Sequence, residues 1–182
     1  SESARIELDV VLKQVVSDTL NLNLAPHDYF YWDEQDTKII ESENGEYRLA
    51  SNIQLNILRS QDTSFHLNIE KRAQANSYYD AKDYAENISY NILENQNTLS
   101  FNQFFRVPSE DPYQQQDIKL TLLMPIGKSV YFDESIKYFI YDIRNIHRMH
   151  DREMIGHTWN MTDKGLACLN CDDELIHREI IK

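Results

Sequence analysis

The stretch IKLTLLMPIGKSVYF, residues 118–132, contains two short runs in which apolar and polar side chains alternate, with Pro-Ile-Gly-Lys between them. Apolar residues fill every second position from Ile118 to Met124, and Val130 and Phe132 repeat the pattern. Successive side chains of an extended chain point to opposite faces, so this period predicts strands with one buried and one wet face. Proline and glycine mark a turn. The stretch therefore predicts a strand, a turn and a second strand.

The same alternation recurs along the chain. Its further apolar positions are Ile6, Leu8, Val10 and Leu12; Leu20, Leu22 and Leu24; Ile53, Leu55 and Ile57; Phe65, Leu67 and Ile69; and Leu99 and Phe101. Many short strands predict a mostly-β chain, either a sandwich, a barrel or a coiled solenoid. No repeat of fixed length is present, so the pattern leaves sandwich and solenoid open. At 182 residues, we expect one domain over residues 1–182.

One segment has a helical pattern instead. In SYYDAKDYAENI, residues 77–88, apolar side chains recur at Tyr78, Ala81, Ala85 and Ile88, which form one stripe of a helix. Ser77 stands three residues before Asp80, the spacing of a helix N-cap and its third residue. The segment predicts one short helix over residues 78–88, followed by a hairpin through SYNILENQNTLSFN, residues 89–102.

The formal charge of −12 argues against a general nucleic-acid binder, because phosphate binding needs a basic surface. No run of about 18 apolar residues occurs, so no membrane-spanning helix is expected. The chain begins at Ser1 without methionine, and we expect any anchor to lie outside it. Phosphate-binding loops, zinc-protease motifs and serine-hydrolase motifs are absent from the sequence. We expect no catalytic residues and no cofactor.

Two clusters contain residue types that bind metals. His147, His150 and Asp151 could share a metal on a helix, but no helical stripe surrounds them, and we interpret them as a polar exposed connection. Cys168 and Cys171 could supply half of a zinc site, with His157 and His177 as partners. A single C-x-x-C is a weak zinc signal. Acidic residues directly after Cys171 argue against a reactive low-pKa thiol.

Three stretches together resemble a known family: YAENISYNILENQNTLSFNQFF at residues 84–105, QQQDIKLTLLMPIGKSVYFDES at residues 114–135, and GHTWNMTDKGLACLNC at residues 156–171. In this order they are similar to the C-terminal domain of bacterial phage-shock-protein-C-like membrane proteins. That domain resembles the toastrack or GIN-type β-solenoid of adhesin heads and envelope-stress proteins. The strand–P-x-G-K–strand unit is the most diagnostic part. The resemblance covers roughly residues 63–171.

The resemblance implies a right-handed β-helix-like solenoid with one short helix; the alternative is a β-sandwich. It also implies a domain on the periplasmic side of the inner membrane, anchored through an N-terminal membrane region absent from this chain. Its expected role is non-enzymatic envelope-stress sensing or interaction, with envelope proteins or a second copy as partner. The alternatives are an adhesin-like surface module and a metal-binding protein. A contact patch is predicted at Tyr29, Phe30, Tyr31 and Trp32, unless these aromatics cap the core at one solenoid end.

The resemblance to an envelope protein also bears on the cysteines, because an oxidising compartment favours disulfides. Residues three apart in a strand are separated by about 10 Å, whereas a disulfide tolerates at most about 7 Å between Cα atoms. Cys168 and Cys171 can therefore bond only if the chain turns between them, and Asn170 accepts turn conformations. We predict a turn at Leu169 and Asn170 and a disulfide that acts as a local clamp. Trp159, Met161 and Leu166 are expected to pack beside it.

Overall fold

The computed structural model describes residues 1–15, 17–26, 39–41, 45–112, 115–174 and 176. Within these residues the chain forms strands β1 Glu2–Val11, β2 Thr19–Leu24, β3 Ile39–Glu41, β4 Tyr47–Ala50, β5 Ile53–Arg59, β6 His66–Ala75, β7 Ile92–Asn95, β8 Thr98–Phe101, β9 Phe105–Pro108, β10 Asp117–Met124, β11 Ser129–Phe132, β12 Thr158–Thr162 and β13 Gly165–Cys168. The helices are α1 Tyr78–Glu86 and the single turn α2 Asp151–Met154, with a 3-10 turn at Glu134–Ile136. Most of the regular structure is therefore strand.

The strands form three open sheets. One has the order β1-β6-β10-β5, the second β13-β12-β11-β2-β8-β7, and the third β3-β4-β9. Neighbouring strands are antiparallel except for β10–β5, β11–β2 and β2–β8, which are parallel. Parallel neighbours need long connections, so strands distant in sequence lie side by side.

The predicted alternation produces the core. On β10 every second side chain is buried, at Ile118, Leu120, Leu122 and Met124. The matching positions of β5 in the same sheet, and those of β2, β8 and β11 in the second sheet, join them in one hydrophobic cluster. Two sheets thus share one apolar interior, and their polar side chains alternate toward solvent.

The predicted turn after Met124 carries the chain from one sheet to the other. β10 belongs to the four-stranded sheet and β11 to the six-stranded sheet, with Ile126 and Gly127 forming the turn between them. Gly127 has φ +89°, a left-handed conformation that side chains with a Cβ disfavour. Its amide donates to the Met161 carbonyl over 2.9 Å, which ties the turn to β12. The most diagnostic stretch of the sequence is therefore a link between sheets.

Helix α1 lies where the sequence predicts it. Ser77 is its N-cap, and the Ser77 hydroxyl accepts the Asp80 amide over 3.1 Å. The stripe residues Ala81 and Ala85 are fully buried. Ala81 packs with Ala4 of β1 and Ala75 of β6 in a small apolar cluster. The predicted hairpin that follows is β7 paired antiparallel with β8.

The prediction of a mostly-β fold with one short helix near residue 78 is confirmed. The sheets are open and include antiparallel neighbours, so the pairing does not establish a right-handed solenoid, which stays a prediction. No helix among the described residues has the length and apolar character to cross a membrane.

Candidate functional site

The two cysteines lie at the end of the β12–β13 hairpin. β13 ends at Cys168, the chain bends through Leu169 and Asn170, and Cys171 returns to Cys168 with 5.7 Å between the Cα atoms. The structure joins the two residues in a disulfide. The bend replaces the extended spacing of about 10 Å with one that a disulfide accepts.

Side-chain and backbone hydrogen bonds hold this bend against β12. The Asn170 side-chain oxygen accepts the Thr158 amide over 2.9 Å. In return, the Leu169 amide donates to the Thr158 carbonyl over 2.9 Å. Asn170 therefore sets the position of the loop as well as permitting its turn, which fixes where the two sulfurs lie.

Trp159, the largest fully buried side chain among the described residues, lies opposite Cys168 in the β12–β13 pairing. Its indole N–H donates to the Met154 carbonyl over 3.1 Å, so the polar end of the ring is satisfied. Met161 and Leu166 are buried in the same core, and Cys168 and Cys171 pack against it. The three residues predicted to lie beside the cysteines are thus part of the core against which both cysteines pack.

A histidine approaches the cysteine pair from the start of β12. The ligand atoms of His157, Cys168 and Cys171 all lie within 4.8 Å of one another, and all three residues are half-buried. His157 is one of the two histidines that the sequence suggested as zinc partners. The other, His177, lies outside the described residues.

His147, His150 and Asp151 do not form a metal cluster. The Asp151 carboxylate accepts the amides of Asp142 and Ile143 over 2.8 and 2.9 Å, which is a structural role. His147 Nε2 accepts the Cys168 amide over 3.2 Å, and its ring centre lies 5.9 Å from that of Trp159. Burial lowers the pKa of His147. The interpretation of this group as wholly exposed is wrong for His147, because it packs against the core.

The predicted contact patch at Tyr29, Phe30, Tyr31 and Trp32 lies outside the described residues. A different apolar surface is present on β1. Leu8 is 54% exposed and Val10 38%, although both occupy the alternating positions that the sequence predicts to be buried. This surface, made by Ile6, Leu8 and Val10, is here named the β1 apolar edge.

The β1 apolar edge continues the core rather than opposing it. Leu8 lies opposite Ile69 of β6, which in turn lies opposite Leu120 of β10. The exposed fraction falls along this row from 54% at Leu8 to 8% at Ile69 and 0% at Leu120. β1 is the outer strand, with β6 as its only paired strand among the described residues, and α1 packs against it at Ala4. The core-facing side of the sheet is therefore left open where β1 borders solvent.

The opposite face of β1 carries charges. Glu7 lies directly opposite Glu70, and no ion pair of Glu7 occurs among the described residues. Like charges placed opposite each other destabilise a strand pair. Arg5 reaches diagonally to Glu70 over 3.5 Å but keeps 66% of its side chain exposed. Arg5 and Glu7 are both available to a strand added outside β1.

A groove of about 570 Å³ beside this face is lined by Ser3, Arg5, Arg72, Tyr78 and Asp117, among others. Its arginines do not form a cationic site, since Arg72 bonds Asp117 through two hydrogen bonds of 2.6 and 2.9 Å, and Arg5 pairs with Glu70. The groove gives no reason to expect a bound anion.

The fold defines a class of mostly-β domain, built from open sheets on a shared core and closed by a disulfide-clamped hairpin. A family model described as "ToastRack found in some PspC" matches residues 39–174. The chain belongs to this family, the toastrack domains of PspC-type proteins, as the resemblance of its three motifs implied. Neither the curated proteins nor the solved structures contain a match to the chain.

Proposed function

We propose that this chain is a non-enzymatic, extracytoplasmic interaction domain of a PspC-type envelope-stress protein, and that it acts by pairing with a second copy through β1. Membership of the toastrack family supports the link to PspC. The negative charge supports a partner that is neither nucleic acid nor anionic lipid. The proposal also includes a right-handed solenoid arrangement of the strands.

The observation that carries the proposal is the open edge at β1. An outer strand presents unpaired backbone N–H and C=O groups, and proteins normally shield such edges with charge, bulges or a covering element. β1 is 10 residues long and has exposed Leu8 and Val10 on its core-facing side. Addition of a strand from a partner is a common use of such an edge.

Charge complementarity favours a second copy as that strand. If two β1 strands pair antiparallel about Ile6, each Arg5 stands opposite the partner's Glu7, twice per dimer. The same register places each Leu8 opposite the partner's Ala4 and extends the apolar face across the interface. Moving the centre of the pairing from Ile6 to Glu7 or to Arg5 would oppose Glu7 to Glu7 or Arg5 to Arg5. Of these three registers, the one about Ile6 is therefore the one that places no like charges opposite each other.

The test exchanges the charges at positions 5 and 7. Sedimentation of the 182-residue chain over a concentration series measures dimerisation. Arg5→Glu and Glu7→Arg should each weaken the dimer by about tenfold or more, because two favourable cross-strand pairs become two like-charge pairs. The double variant Arg5→Glu/Glu7→Arg restores opposite charges at both positions. We expect it to dimerise about as well as the unmodified chain.

Charge-matched controls are available in the β12–β13 region of the other sheet. Lys164→Glu changes net charge as Arg5→Glu does, and Glu174→Arg changes it as Glu7→Arg does; both residues are exposed. Neither should alter dimerisation. A monomer at every concentration, or equal dimerisation of all variants, rejects β1 pairing.

The extracytoplasmic location has its own test. In intact cells that express the full membrane protein, Cys168 and Cys171 should resist a thiol-reactive reagent until a reductant is added. Both thiols reacting without reductant would contradict an oxidising location. This test is independent of the dimerisation test.

A further inference from the structure

We propose that reduction of the Cys168–Cys171 disulfide converts the β12–β13 hairpin into a binding site for one thiophilic divalent cation, of which Zn²⁺ fits best. The ligands are the two sulfurs and a ring nitrogen of His157, with water in the fourth position. This inference does not depend on dimerisation through β1.

The spacing of the three ligand atoms supports the site. Zinc binds sulfur at about 2.3 Å and imidazole nitrogen at about 2.0–2.1 Å, so tetrahedral ligand atoms lie about 3.3–3.8 Å apart. The three atoms already lie within 4.8 Å of one another. Closing the site therefore needs the His157 nitrogen to approach by at most about 1 Å and the sulfurs to separate by about 1.7 Å from bonding distance. Breaking the disulfide allows the sulfurs to separate.

We expect the hairpin to hold its shape without the disulfide, because other contacts fix the loop. Asn170 bonds the Thr158 amide, and His147 accepts the Cys168 amide over 3.2 Å. Since that hydrogen bond occupies Nε2 of His147, this histidine supports the backbone at Cys168 and leaves His157 as the ligand. Leu169 is 62% exposed at the loop tip, so water can reach the fourth position.

Opening the site needs a reductant, which we specify as a dithiol. The dithiol supplies two electrons and two protons, the Cys168–Cys171 bond breaks, and two cysteine thiols and one reductant disulfide result. Metal binding then displaces the two thiol protons to solvent, because thiolates are the ligands. The oxidised chain has no thiolates and should not bind the metal.

The experiment titrates the reduced chain with Co²⁺ without oxygen, followed by absorption, and then adds Zn²⁺. We expect a thiolate-to-cobalt band, tetrahedral visible bands, a stoichiometry of one and complete displacement by Zn²⁺. The oxidised chain should give none of these. His157→Ala should lower affinity by more than about tenfold, since losing even a group that only supports a ligand costs about 10–100-fold. His150→Gln, at an exposed histidine, is the matched control and should bind normally.

A second measurement keeps the test valid if His157→Ala fails to fold. Zinc added to the reduced, unmodified chain should shift the ring-nitrogen NMR signals of His157 and of no other histidine. Absence of a thiolate band in the reduced chain overturns the proposal. Unchanged affinity in a folded His157→Ala variant, or an unshifted His157 ring, also overturns it.

Discussion

At the scale of single residues, His147 makes the stability of the folded chain depend on pH. Its neutral Nε2 accepts the Cys168 amide, a bond that protonation would remove. Burial lowers its pKa in the folded chain from the ordinary 6.5, so the unfolded chain binds more protons as pH falls through that value. Stability then rises with pH in this range and is lost on acidification.

We therefore predict that the free energy of unfolding decreases when pH is lowered from about 7.5 to about 5.5, across the ordinary histidine pKa. Urea unfolding at the two values measures it. His147→Phe keeps a ring against Trp159 but cannot titrate, so its unfolding free energy should depend less on pH. A variant with the same pH dependence as the unmodified chain would show that His147 is not responsible; His150→Gln serves as the control.

Single-residue predictions from sequence succeed where the cause is local. The turn between Cys168 and Cys171 follows from their spacing and from Asn170, and both are visible in the sequence. The role of His147 is not, because its partner amide is 21 residues away and the contact exists only after folding. Asp111 is similar: it is 9% exposed, and its carboxylate accepts the side-chain amide of Asn87, 24 residues away, over 3.0 Å.

At the scale of elements, α1 depends on its first turn. The Ser77 hydroxyl accepts the Asp80 amide, which otherwise has no partner within the helix. We predict that Ser77→Ala lowers the free energy of unfolding by about 0.5–2 kcal/mol, while Ser77→Gly costs only a few tenths. Equilibrium denaturation of both variants measures the difference. Equal losses for alanine and glycine would mean that the cap does not stabilise the helix.

Strand patterns predict which side chains share a face, but they do not predict which strand lies at an edge. β1 and β10 have the same alternation, and their positions in the sheet differ: β10 is enclosed between β6 and β5, whereas β1 is outermost. Leu120 is consequently fully buried and Leu8 is 54% exposed. The charges on the other face of β1 do not mark the edge either, because β6 and β10 carry charged residues at the matching positions.

At the scale of the whole molecule, the sequence supports the fold class but not the strand order. Parallel pairing of β10 with β5 joins Ile118 to Ile53, and no local pattern specifies such a long-range contact. The three motifs indicated the family, because they resemble a known domain in their order along the chain. The candidate interaction surface could not be predicted from the sequence. It exists only where core-facing side chains of the assembled sheet reach solvent.

The central claim is that two copies pair through β1 in the register about Ile6, and one mixing experiment tests it most directly. Arg5→Glu has acids at both positions 5 and 7, and Glu7→Arg has arginines at both, so each variant alone should dimerise at least about tenfold more weakly. Mixed in equal amounts, the two variants should form a heterodimer in which each acid faces an arginine, detected by sedimentation with one partner labelled. A mixture that stays monomeric while the unmodified chain dimerises would contradict the account.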